Sequence, residues 1–252
     1  MIKEEQLFLK HVSDLAFTAY RKNIPTNTDF LTLYEQDLFL SSKDSVPPVD
    51  YKLNGGTRFT ERKMLCFLPD KELYADWMPI AILEIAPVQK KFSDELSHRD
   101  YLGAFMSLGI ERSVLGDILI REDKRAYLFC KQNMSEYIME NLSFVKHTNM
   151  TCRIFTGEVE ELKPRLEEVQ GSVASPRLDS VLAVAFQGSR SKLAGLIEGK
   201  KVFVNSRMAK SGSYMLKQGD VVSVRGYGKF IYREVVGTTK KGRDYVSIMK
   251  YI

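Results

Sequence analysis

Residues that build metal, redox and disulfide sites are scarce in this chain: 252 residues hold three cysteines, three histidines and one tryptophan. Cys66, Cys130 and Cys152 lie far apart and none belongs to a CxxC pair, so neither a zinc site nor a disulfide framework is indicated. Each sits in an apolar, strand-like run, which predicts buried thiols in a reduced, cytoplasmic protein. With His11, His98 and His147 as the whole histidine complement, a histidine-rich metal site is excluded. No apolar run approaches the ~20 residues that span a bilayer, and Met1-Ile2-Lys3-Glu4-Glu5 carries no signal-peptide core, so no membrane role is expected. There is no P-loop, and Gly226-Tyr227-Gly228 is too short for a dinucleotide fingerprint. His98-Arg99-Asp100 has none of the other kinase elements around it. The expectation is a protein with no cofactor, no metal and no catalytic residue.

Positive charge, by contrast, is concentrated in one place. From Arg177 onward there are 15 Lys/Arg against 5 Asp/Glu, a net of +10. The first 176 residues hold 22 against 27, a net of −5, which returns the whole-chain value of +5. A basic C-terminal third on an acidic body points to one nucleic-acid-binding module, whereas a single charge cluster is commonly no more than a solvated face. The length suffices for two or three small domains.

The periodicities predict an α+β protein. In residues 1–62, Leu7, Val12, Leu15, Ala16 and Ala19 recur at helical spacing, and Asn23-Ile24-Pro25 ends that helix. A second helix is expected where Asp29 caps a run carrying Phe30, Leu33, Leu38 and Leu40. Residues 63–160 open on the strand-like run 63–68. They continue as strand (79–86), helix (97–108), two strands (116–121 and 125–130), helix (133–142) and strand (152–156). That β-α-β-β-α-β order is the pattern of a ferredoxin-like (RRM-like) domain, a topology that by itself decides no function. Residues 161–176, acidic and then small and turn-prone, are expected as a linker. In 177–252, two short helices (179–186 and 190–198, the second closed by Gly199) precede strands at 201–204, 220–224, 230–236 and 245–251. The basic hairpin at 237–243 is expected to be mobile.

The candidate site lies in that last module. Ser189 is placed to cap the second helix, whose first turn carries Arg190, Ser191 and Lys192; free N–H groups and added cations there suit a phosphate. Arg177, Lys200, Lys201, Asn205, Arg207, Lys210, Arg225 and Lys229 are the other candidate RNA contacts, with Tyr227 and Phe230 as residues that either stack on bases or pack in the sheet. Arg177-Leu178-Asp179, Ser189-Arg190-Ser191, Lys200 to Asn205 and Gly219 to Arg225, in that order over about fifty residues, resemble the S4 RNA-binding domain. Arg-Leu-Asp also opens the catalytic motif of pseudouridine synthases, but Asp179 is followed by Ser180-Val181-Leu182-Ala183 and not by the expected Thr-Ser-Gly-Leu. A cap or an ion pair is its plainer role.

A second motif extends the resemblance to the whole chain. His98-Arg99-Asp100-Tyr101-Leu102-Gly103-Ala104, then Leu108 to Arg112 and Leu115 to Leu119, is similar to the signature of the YlmH family, bacterial proteins with an RRM-like middle domain and a C-terminal S4 domain. His98, Arg99 and Arg112 are secondary RNA candidates, the two arginines alternatively holding Asp100 and Asp117 in structural pairs. The resemblance implies a non-catalytic factor binding the large ribosomal subunit, with 23S rRNA and tRNA or peptidyl-tRNA as partners alongside other quality-control factors. It further implies rescue of stalled chains and C-terminal alanine tailing. An RNA-modifying enzyme targeted by its S4 module and a cell-division scaffold are the alternatives.

Overall fold

The computed structural model describes residues 3–240 and 242–252, with Arg190 described by its backbone alone. The chain divides into two compact units, Met1–Lys163 and Pro164–Ile252. Among the described residues no helix is long and apolar enough to cross a membrane.

The first unit is built on strands that are apolar on both faces. Its elements are α1 (Lys3–Lys22), β1 (Thr26–Leu31), α2 (Leu33–Ser42), β2 (Asp50–Asn54), β3 (Lys63–Leu68), β4 (Ile80–Pro87), α3 (His98–Ser107), β5 (Leu115–Ile120), β6 (Ala126–Lys131), α4 (Ser135–Asn141), β7 (Phe144–Val145) and β8 (Thr148–Ile154). They form two antiparallel sheets, β1-β3-β2 and β5-β6-β4-β8-β7. Successive strand side chains point to opposite faces. Leu65 and Phe67 of β3 therefore join Val12, Ala16 and Ala19 of α1 and Phe39 of α2, while Met64, Cys66 and Leu68 face the other way. Tyr127 and Phe129 of β6 meet that second set, and Ala126, Leu128 and Cys130 pack with Tyr101 and Phe105 of α3 and Ile138 of α4. The layers run helix, sheet, sheet, helix. Burial at both faces explains why β3 and β6 read as continuous apolar runs.

Two sequence expectations change here. Asp29 and Phe30 do not begin a helix; they lie on β1, and Thr32 caps α2 through a capping box with Glu35. Phe30 and Leu31 enter the apolar layers on the two sides of the small sheet, a period-two signal hidden by the polar Thr-Asn-Thr-Asp before them. The boundary between 62 and 63 falls inside one compact unit, because β3 is the central strand between β1 and β2. The expected alternation of strands and helices over 79–156 is present, with β7 added. Cys66 and Cys130 are buried, and burial pushes the thiols of Cys66, Cys130 and Cys152 up to about 12.

The second unit contains β9 (Leu166–Val173), α5 (Leu178–Phe186), α6 (Arg190–Glu198), β10 (Val202–Val204), β11 (Arg207–Met208), β12 (Val221–Val224), β13 (Gly228–Thr238) and β14 (Asp244–Tyr251). Six strands form one antiparallel sheet in the order β11-β10-β12-β13-β14-β9. The expected linker at 161–176 is thus largely the edge strand β9, paired with β14 from Leu166↔Tyr251 to Val173↔Asp244. Val169 and Val173 reach the core and Gly171 lets Val184 of α5 approach, while Glu168 and Ser172 stay exposed. Leu178, Val181, Leu182, Leu193 and Ile197 hold the two helices on Val202, Val222, Phe230 and Ile248.

The sheet-on-sheet contact in the first unit allows no side chain at Gly116. A Cβ there would lie 2.8 Å from the Phe30 ring and 2.9 Å from Phe129 Cβ. Gly116→Ala is expected to destabilise the protein by about 1–3 kcal/mol through overpacking, read as a lower midpoint in thermal or urea unfolding.

Candidate nucleic-acid interface

The second unit roots its cations on a rigid apolar platform, but the individual residues have different duties. Arg177 occupies the N-cap position of α5, and its guanidinium reaches the Asp179 carboxylate at 3.1 and 3.3 Å. Asp179 is buried and also accepts from the Ser180 hydroxyl. The backbone N–H groups of Leu178 and Asp179 donate to the carbonyls of Tyr214 and Gly212. These backbone bonds fasten the start of α5 to the 212–214 segment, and the pair with Arg177 is the ion pair expected of Asp179.

Ser189 caps α6, its hydroxyl accepting the Lys192 N–H at 3.3 Å, and Ser189, Ser191 and Lys192 are exposed. The Arg190 side chain lies outside the described residues. The far end of α6 closes at Gly199, as expected, but not through a left-handed glycine. Gly199 has an ordinary φ of −73°, and the left-handed position is Lys200, at φ 55°. Lys200 N–H bonds to the Ile197 carbonyl and Lys201 N–H to that of Leu196, the two bonds of a Schellman motif. A lysine therefore holds a conformation that glycine adopts more cheaply.

Pairing sorts the remaining candidates to the two ends of β10. At its start, the Lys201 carbonyl accepts the Arg225 N–H at 2.9 Å, which brings Lys200, Lys201 and the β12–β13 turn together. Lys200, Lys201 and Arg225 are exposed and make no ion pair among the described residues. Lys229 follows on β13, half-buried, its ammonium 4.2 Å from the centre of the Tyr251 ring. At the other end of β10, Asn205 and Ser206 have φ of 50° and 64° and form the tight turn into β11. The Asn205 amide donates to Asp220 at 2.8 Å and accepts the Val221 N–H at 2.9 Å, so it serves the fold rather than a ligand. Asp220 is buried and also takes the Lys217 N–H and the Tyr214 hydroxyl. Arg207 and Lys210 are exposed beside this turn.

Of the two aromatic candidates, Phe230 is fully buried and Tyr227 is 38% exposed. Sequence reasoning missed Phe186 and Lys250. Phe186 ends α5 and reads as core, and Lys250 reads as an outward strand position. In the fold the Lys250 ammonium lies 5.5 Å from the Phe186 ring centre.

His98, Arg99 and Arg112 belong to the first unit. His98 and Arg99 are exposed at the start of α3. Arg112 donates to the carbonyls of Leu115 and Gly116 at 2.5 and 3.0 Å, and desolvation followed by the neighbouring Arg62 cation pulls its pKa down to about 10. It is a structural group. The anticipated Arg–Asp pairs do not form: Asp117 accepts the N–H groups of Glu61 and Arg62, and Asp100 is held by Ser97 and Lys146. Among the described residues no three His, Cys, Asp or Glu side chains converge as metal ligands.

Residues 75–157 match the family model described as "Putative RNA-binding domain in YlmH", and residues 176–222 match the S4 domain. The chain is 26% identical over 248 residues to the ribosome-associated protein quality control protein P2 of Bacillus subtilis (strain 168), covering 96% of this chain and 93% of that one. It is 36% identical over 78 residues to the small ribosomal subunit protein uS4 of Chromohalobacter salexigens, covering 31% of this chain and 38% of that protein. Among solved structures, the cell division protein ylmH from Streptococcus pneumoniae shares the fold, with a TM-score of 0.52 at 18% identity over 64% of this chain and 95% of that one.

The Asp100 site makes a pH-dependent contribution. The Ser97 hydroxyl, the Ser97 N–H and Lys146 lower its pKa to about 2, below the ~3.9 of an unfolded aspartate. A depressed carboxylate contributes stability above the unfolded value and loses it as pH falls through the folded one. Stability should therefore drop between pH ~4 and ~2, and the drop should be shallower in Asp100→Asn, as measured by urea unfolding across that window.

Proposed function

We propose, from the matches to the YlmH RNA-binding and S4 models and to a relative aligned over 96% of the chain, that this is a YlmH-type S4-domain protein: a non-catalytic, cytoplasmic RNA-binding protein acting on the large ribosomal subunit. In this reading the second unit engages 23S rRNA and the tRNA of an obstructed peptidyl-tRNA, in support of rescue and C-terminal alanine tailing. The observation that carries it is the cluster of Lys200, Lys201 and Arg225: exposed, without carboxylate partners among the described residues, and held at one end of a packed sheet. Such a cluster is suited to phosphates, which give affinity without sequence readout. The exposed, capped N-terminus of α6 with Lys192 adds a second anion-favouring element. The name of the Bacillus subtilis relative places that protein in ribosome-associated quality control, and the 96% coverage of this chain supports the same setting here. The enzymatic reading draws no support from Asp179, whose carboxylate is buried and engaged by Arg177.

Lys200 offers a test that separates binding from folding. Lys200→Gly relieves the left-handed strain and should raise stability by up to about 1 kcal/mol, a gain opposite to that of damaging a structural residue. The same change should weaken RNA binding and reduce the slope of log K against log salt by about 0.7–0.9. In sucrose gradients the wild type should travel with large subunits, and Lys192→Ala combined with Lys200→Gly should shift it toward free protein. Unchanged co-sedimentation of that double variant would sink the reading.

A further inference from the structure

The turn between β12 and β13 carries an aromatic ring that the fold does not need for its core. Tyr227 is 38% exposed, and its hydroxyl has no hydrogen-bond partner among the described residues. Phe186 braces the ring, the two centroids lying 5.7 Å apart at an interplanar angle of 66°. Phe186 is itself anchored by Phe230, a fully buried residue, at 5.9 Å. The chain reaches Tyr227 through Gly226 at φ 85° and leaves it through Gly228 at φ 112°. A Cβ at Gly226 would meet nothing within 4 Å, so the turn is uncrowded where the chain enters it. Arg225 and Lys201, joined by a backbone hydrogen bond, stand at the same turn, and Lys250 lies over the Phe186 ring.

We propose that Tyr227 is a base-stacking residue: an unpaired nucleobase of the bound RNA lies against its ring while Arg225 and Lys201 hold the adjoining phosphate. The inference deepens the RNA-binding reading and rests on it. A braced tyrosine loses little side-chain freedom when a base settles on it, and every base offers a π-face, so the contact is tolerant of sequence. It is selective for unpaired RNA, because bases inside an A-form helix are already stacked on their neighbours. Phe230, two residues into β13, is closed to such a role by its burial. Tyr227 and Arg225 lie beyond residue 222, where the S4 match ends, while Lys201 and Phe186 lie within it.

The test uses the full chain with a short single-stranded RNA carrying a central fluorescent base analogue, and a duplex of the same sequence. Wild type should quench the analogue on the single strand. Tyr227→Leu should bind that strand about tenfold more weakly, with an unaltered salt slope and unaltered duplex affinity, because it removes stacking and no phosphate contact. Tyr227→Phe should keep both affinity and quenching. If Tyr227→Leu binds the single strand like wild type while Lys200→Gly weakens it, the stacking proposal fails and the RNA-binding reading stands. If the leucine variant loses both RNAs equally and melts earlier, Tyr227 is a structural residue and the proposal is overturned. If wild type binds neither RNA, both readings fall.

Discussion

Packing of two helices on one face of a six-stranded sheet is the interaction on which the second unit depends. Lysine and arginine side chains are long and mobile, and their charges can be aimed only as well as their backbone roots are fixed. Here the roots are fixed by Leu178, Val181, Leu182, Leu193 and Ile197 against Val202, Val222, Phe230 and Ile248. Each fully buried aliphatic or aromatic side chain contributes ~1.5–3 kcal/mol, so the ends of α6, β10 and β12 cannot drift independently. The cluster at Lys200, Lys201 and Arg225 follows from that packing, and so does the brace under Tyr227.

Polar satisfaction then sorts residues that look alike in sequence. Asn205 and Arg112 were plausible ligands by type and by position in turns, yet their polar atoms are spent on Asp220 and Val221 and on the carbonyls of Leu115 and Gly116. Removing either would leave buried or half-buried partners unmatched, the costly direction of hydrogen-bond loss. Lys200 shows the opposite case: its backbone is strained and its charge unpaired among the described residues, a combination that local stability does not favour. Departures of that sort tend to mark function.

The long helix α1, the S4 helices and the interior strands were legible because their apolar spacing is regular. The strand β1 was not, since four polar residues precede Phe30-Leu31 and mimic a helix cap. The strand β9 was masked by its glutamates, which read as an acidic linker until β14 supplies a partner along its whole length. The basic cluster was visible as composition, but its division between the two ends of β10 was not: that depends on which strand ends the fold brings together. The choice between Tyr227 and Phe230 was likewise invisible, because period-two alternation does not say which face a helix will cover.

The two-faced burial of β4 and β6 has a consequence for how this protein can be taken apart. The segment matched as an RNA-binding domain, residues 75–157, omits β1 and β3, which cover Ile80, Tyr127 and Phe129. The unit of recognition by sequence is therefore smaller than the unit of folding. Cut at the matched boundaries, the segment would present a broad apolar sheet to water, a surface of the kind that drives aggregation. The aromatic pair on β6, which in an isolated sheet would face solvent and invite bases, instead serves as mortar between two halves that must be inherited together.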